Sequence, residues 1–400
     1  MKLQNFLELL ENHKLFRKES INLLASENYS SPIVRAILSS DLGNRYSSDY
    51  YGGTKFIQQI INKTESLIRE LFDADYAIVY PLSGNMCDLA LILGLTKSGN
   101  KIMSVEAGDA GGYPLNYEFF NRKFIPFNFS LEDMNILIEE SIEVIKKQKP
   151  KLVIFGSSFF PFPHPVKDIT QEFEKRKTIQ FAFDGSHVLG LIAGKQFQDP
   201  LREGCPVLVG STHKSFPGPQ GGLIVTNDMH LYETLFSTFD IDLENGIKLT
   251  DNVHAHRIAA LGMAALEMLE FGKDYASQIV KNTKTLATTL NNHGVPVKFK
   301  HLDFSDSHQV ILDIPSYNEK TLLRERAENI GLLIDSGIRL GTAEITRMGM
   351  KELEIKEIGE IFARVYHNDI TNELSWRIKD FARIFSSPTY CFNNISEMPF

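Results

Sequence analysis

At 400 residues the chain is long enough for one large domain and a smaller companion, and 43% hydrophobic with 23% charged residues is an ordinary globular composition. A net charge of −8 without a dense basic cluster argues against a nucleic-acid partner, and no run approaches the ~18 apolar residues of a membrane span. Cys87, Cys205 and Cys391 have no metal-ligand spacing and cannot all pair, so with no apolar leader at the start a reducing, cytoplasmic setting is expected.

In chain order, residues 3–17 have helical apolar spacing (Leu3, Phe6, Leu7, Leu10) and predict an N-terminal arm helix. An apolar segment, 21–25, breaks into Ser26-Glu27-Asn28-Tyr29, and Ser31-Pro32 predicts a new helix start. Residues 44–53 form a Gly loop rich in tyrosine (Tyr46, Tyr50, Tyr51), a composition that suits an interface or a ligand wall. Residues 57–72 predict an amphipathic helix, and 77–80 a strand. That strand passes through Ser83-Gly84-Asn85 into a helix reaching 93. A small polar turn at a helix N-terminus offers free N–H groups to an anion, so Ser83, Gly84 and Asn85 are candidates to hold a phosphate.

Further strands are predicted at 101–105, 151–155, 178–183, 206–210 and 223–225. The first ends near Gly111-Gly112-Tyr113, and the second near Ser158 with an aromatic run whose phenylalanines are mostly core. The third ends at Asp184, followed by Gly185-Ser186-His187, and the fourth leads into Ser211-Thr212-His213-Lys214. A lysine between two core strands is costly to bury as an ammonium, and an imine with an aldehyde removes most of that cost. A strand ending in Asp and, about thirty residues on, one ending in Lys is the pair pyridoxal phosphate (PLP) requires. Asp184 keeps the pyridine nitrogen protonated and Lys214 holds the aldehyde. Strands alternating with helices over 75–226 predict a mainly parallel sheet with sites at the strands' C-terminal ends.

Beyond it, helices are predicted at 253–271 and 275–293, a strand at 309–314, a helix at 318–330 and a strand at 332–335. His254 and His256 do not share a helical face, so no metal is expected there. Arg339, flanked by apolar residues, offers a planar fork for a carboxylate, whereas Arg347 reads as structural.

These motifs resemble serine hydroxymethyltransferase, a fold-type-I PLP enzyme, from Leu24-Ala25-Ser26-Glu27-Asn28-Tyr29 to Gly337-Ile338-Arg339-Leu340-Gly341-Thr342. The resemblance implies an arm over 1–35, a large PLP-binding α/β domain over 36–272 and a smaller α+β domain over 273–400. It also implies a homodimer with shared sites. Ser26 would help hold the substrate carboxylate with Arg339; Tyr46 would approach the substrate, and Tyr51 the neighbouring subunit's phosphate. Ser158 would sit near the ring hydroxyl, Tyr113 would replace a stacking histidine, His187 would position the ring or an incoming carboxyl, and Thr212 and His213 would join Lys214 in holding the cofactor.

The chain departs from the family at Ser48, where a glutamate that donates a proton and touches folate belongs, with Asp49 one residue late. It departs again at Tyr113 and at Gln220, usually an arginine, and Asp240, Asp242, Glu244 and Gly246 replace a Gly-rich phosphate loop. The expected reaction is therefore folate-independent aldol, retro-aldol or aldehyde-transfer chemistry at Cα–Cβ of a small amino acid. Decarboxylation, β-elimination and amino transfer are the alternatives, and a PLP-binding relative without turnover is a third.

Overall fold

The computed structural model describes residues 2–48, 50–174, 178–242, 246–337 and 339–392; Asp49, Glu244 and Ile338 lie outside them. Contacts divide the chain into two compact units, 30–276 with the C-terminal end from 391, and 1–29 with 277–390. Of the arm expected over 1–35, residues 1–29 therefore group with 277–390 and residues 30–35 with the larger unit.

Among the described residues, seven strands build the sheet of the larger unit. They are β1 (Tyr76–Ile78), β2 (Lys101–Ser104), β3 (Lys123–Pro126), β4 (Leu152–Phe155), β5 (Gln180–Asp184), β6 (Val207–Ser211) and β7 (Gly222–Thr226), in the order β1-β7-β6-β5-β4-β2-β3. The five from β6 to β3 are parallel to their neighbours, and β7 runs antiparallel to both β6 and β1. This is the mainly parallel, mixed α/β sheet expected. The inner strands read as unbroken apolar runs because both faces are covered: every residue of β4, β6 and β7 is buried. Ile78, Leu91, Ile102, Ile154, Ala182, Val209 and Ile224 belong to one core cluster. The helix Gly84–Leu95 contributes Cys87, Ala90 and Ile92 to it.

The two helices predicted over 253–293 are one, Ala255–Asn292. Gly272-Lys273-Asp274 looks like a break, yet Tyr275 and Ala276 just beyond are fully buried. Packing there outweighs the ~1 kcal/mol a helical glycine costs.

In the other unit Ile21–Asn22 pairs in parallel with Leu332–Leu333, and Gln309–Ile311 pairs antiparallel with Arg339–Gly341. Helices Tyr317–Asn329, Glu352–Tyr366 and Asn372–Ile384 close a core that includes Leu23, Leu312, Leu340, Ile358 and Ile378. Lys2–Lys18 is helical as predicted but buries no residue.

Candidate active site

The connection from β6 to β7 carries Lys214 and is fastened at several points. Thr212 N–H donates to Gly221 O at 3.1 Å, Gly218 N–H to Thr212 O at 2.9 Å, and Gly190 N–H to Ser215 Oγ at 3.0 Å. The Thr212 hydroxyl is committed to Pro219 O at 2.6 Å, so this residue holds the turn. With Ser215 and Phe216 fully buried just after it, Lys214 has its backbone locked while its side chain is only half-buried.

β5 delivers the second group. Asp184 pairs in register with Val209, and its Oδ1 accepts the Ser186 N–H at 2.9 Å. Ser186 Oγ in turn accepts the Ser211 N–H at 3.0 Å, which ties the end of β5 to the end of β6. His187, buried, places Nε2 at 3.3 Å from Lys214 Nζ. Gly156 after β4 has φ +107°, and a side chain there would collide with the Asp184 carbonyl oxygen. Glycine is required where that loop crosses β5.

Ser83, Gly84 and Asn85 open the helix Gly84–Leu95. Ser83 is its N-cap, accepting Met86 N–H at 3.1 Å, and a Cβ on Gly84 would collide with Ser211 Oγ and reach within 2.8 Å of Ser186 Oγ. The helix start is thus pressed against the turns that carry Asp184 and Lys214. Tyr113 donates its hydroxyl to Asn85 Oδ1 at 3.1 Å, and Ser158 N–H donates to Gly111 O at 2.7 Å. Those two bonds bring the loops after β2 and β4 to the same place. Phe160 is fully buried against His164 and Phe183, so it serves as core.

The electrostatics of this cluster are uneven. Burial and the neighbouring Lys214 charge push His213 down to about 4, although a backbone hydrogen bond with Gly221 opposes them; its buried Nδ1 has no hydrogen-bond partner. Burial raises the Tyr113 phenol, and Asp88 and Asp184 raise it further. Two residues not singled out in the sequence belong here. Arg257, 5% exposed, donates to Val79 O at 2.6 Å and Tyr80 O at 3.3 Å, and burial lowers it to about 10. Its guanidinium packs on Gly221, which places a cation beside Gln220. The other is Asp88, in the first turns of the helix.

A primary amine beside an imidazole, a strand-end carboxylate, a helix N-terminus and an unpartnered histidine nitrogen are the donor set that a phosphorylated pyridine aldehyde requires. The residues present fit that group.

Arg339 and Ser26 both lie in the other unit. Ala25 packs on Gly341, and Ala25 O is 3.0 Å from His308 Nε2. Arg339, with 11% of its side chain exposed, is paired through Nη2 with Asp335 Oδ2 at 3.3 Å, and its N–H donates to Asp335 Oδ1 at 3.3 Å. Burial lowers the Arg339 guanidinium and the Asp335 charge offsets part of that. Arg347 is fully buried and donates to Tyr390 O at 2.5 Å, a structural tie. Tyr46 and Tyr51 are 50% and 41% exposed, with ring centroids 5.0 Å apart.

A family model for serine hydroxymethyltransferase matches residues 2–362. The serine hydroxymethyltransferase of Methanocaldococcus jannaschii is 39% identical, over 96% of this chain and 94% of its own length. That of Methanothermobacter thermautotrophicus is 38% identical, over 94% and 93%. The crystal structure of L-threonine transaldolase from Pseudomonas fluorescens in the internal aldimine state superposes with a TM-score of 0.90, at 26% identity, covering 98% of this chain and 94% of that one.

Proposed function

The chain belongs to the serine hydroxymethyltransferase family, and on that premise we propose that it carries out aldol cleavage or aldehyde transfer at Cα–Cβ of a β-hydroxy amino acid without a folate carrier. It is a PLP-dependent enzyme of aldol type acting on amino acids. When bound, PLP supplies the electron sink that weakens the bonds at Cα.

The chain's own groups divide the remaining work. Lys214 is the amine that takes the cofactor's aldehyde, and His187 exchanges a proton with Nζ over 3.3 Å. Asp184, its Oδ1 anchored by the Ser186 N–H, holds a proton on the ring nitrogen. The Ser83–Asn85 turn and His213 Nδ1 take the phosphate, while Ser158 and Tyr113 bound the ring. Ser26 and the Arg339 fork would bind the substrate carboxylate. Tyr46 meets the substrate and Tyr51 a second copy's phosphate in a homodimer. The half-exposed tyrosine cluster and the uncovered apolar residues of Lys2–Lys18 (Leu3 70%, Phe6 60% exposed) support that assembly.

The observation that carries the folate-independent reading is Tyr113, bonded to Asn85 where the family places a histidine. A phenol raised by burial does no proton chemistry near neutral pH. Ser48 and Gln220 point the same way, as does the likeness to a threonine transaldolase. The test is incubation of the PLP-loaded protein with serine, threonine and their isomers. Aldehyde and glycine should accumulate without any carrier, and silence across all of them defeats the reading. The relatives' identity of 38–39% favours a second reading, hydroxymethyl transfer from serine, which requires an added one-carbon acceptor.

A further inference from the structure

The helix Gly84–Leu95 is apolar on its buried side except at Asp88, which is 5% exposed among Cys87, Ala90, Leu91 and Ile92, all fully buried. Asp88 stands four residues after Gly84, so the two share a helical face. That face is the one on which Gly84 meets Ser186 Oγ and Ser211 Oγ, at the turns carrying Asp184 and Lys214. Asp88 Oδ1 is shielded from solvent and has no hydrogen-bond partner. The charges acting on Asp88 are Asp184 and Lys214; Cys87, Tyr113 and Tyr117 lie within its own field, and Arg257 acts on Cys87. An ionised carboxylate in that position would have an unsatisfied oxygen and a like charge beside it, with one ammonium to serve two anions.

We propose that Asp88 is a positioning residue of the cofactor site that stays protonated at neutral pH, so that the Asp88–Asp184 pair carries one negative charge and keeps it on Asp184. Burial, with the Asp184 charge second, drives the Asp88 carboxyl well above the usual carboxylate range, and Lys214 counteracts this only in part. Protonated, Asp88 adds no second negative charge beside Asp184. The consequence is a fixed charge opposite the ring nitrogen. A second ionised carboxylate would retain protons on the imine and raise the pH at which the bound cofactor changes colour.

The inference deepens the PLP reading and rests on it. The experiment is infrared difference spectroscopy of PLP-loaded wild type against Asp88→Asn at pH 7, with an absorption titration of both proteins. The neutral-acid C=O stretch should be present in the wild type and lost in the variant, and the colour-change midpoint should stay within ~0.3 pH units. A difference spectrum that shows loss of a carboxylate band, or a midpoint lowered by about one unit, overturns the proposal. Asp88→Ser gives the same subtraction should the Asn variant not fold. A wild type that takes up no PLP would instead defeat the cofactor reading, which keeps the two failures apart.

Discussion

His187 Nε2 sits 3.3 Å from Lys214 Nζ, linking the turn after β5 to the turn after β6. His187 is buried and Lys214 is half-buried, so the imidazole is held in place beside an amine that a small molecule can still reach. Replacing His187 with Phe keeps a flat ring and removes the nitrogen. The expected result is retained PLP absorption with kcat lower by about 100-fold or more, the usual range for a lost acid–base partner. Stopped-flow absorbance against steady-state turnover separates the two.

Gly84 offers a steric test of the proposed phosphate turn. A methyl group there collides with Ser211 Oγ, so Gly84→Ala must displace either the helix start or the strand-end turn. A strain of about 1–3 kcal/mol is expected, read as PLP affinity reduced about tenfold or more in a fluorescence titration. Ser83→Ala, which removes the cap on Met86 N–H, should cost about 1 kcal/mol of stability in thermal or urea unfolding.

For Arg339, the prediction turns on its pairing with Asp335. Arg339→Lys keeps the charge but loses the fork, so KM for the amino acid should rise by about 10- to 100-fold, the worth of a charge-assisted bond of ~1.5–3 kcal/mol. Asp335→Asn leaves the fork in place and should raise KM much less. Equal effects from both variants would mean that Arg339 acts through the ion pair alone.

His164 makes a prediction about stability. Its Nδ1 accepts the Gly156 N–H at 3.2 Å, its ring packs tilted against Phe160, and burial pushes it down to about 3. An unfolded histidine titrates near 6.5. Between those values the unfolded chain binds the extra proton, so stability falls as pH drops from about 6.5 towards 3, by about 2 kcal/mol at pH 5. His164→Gln should flatten that part of the stability curve measured by urea unfolding.

Much of the sheet was legible because β4, β6 and β7 are unbroken apolar runs, and the proposed cofactor residues Asp184 and Lys214 stand out because they lie at or just past strand ends next to polar turns. β3 was not legible. It is an edge strand, partly exposed along its whole length, so it lacks the apolar signal of its neighbours. The break assigned near Gly272 failed because burial of Tyr275 cannot be read from local sequence. Asp88 was passed over for a related reason: an acidic residue near a helix N-terminus is ordinarily solvated and favours the dipole. Its burial comes from strands more than ninety residues away in sequence. An internal salt bridge is the alternative that the sequence leaves for Arg339, and the pair with Asp335, four residues away, stands beside its carboxylate-binding reading.

The hairpin that seats Lys214 also bears on how reaction type can change over time. Its fastenings, from Thr212 to Gly221 and from Ser215 to Gly190, are local and largely independent of the segments bearing Tyr113, Ser158 and Arg339. Sequence drift in those segments can alter which bond is broken while the amine stays anchored. On the proposed reading, descendants of such a scaffold inherit the Lys214 attachment point before they acquire a new specificity, so laboratory selection for altered substrates should accumulate substitutions in those segments rather than in the hairpin.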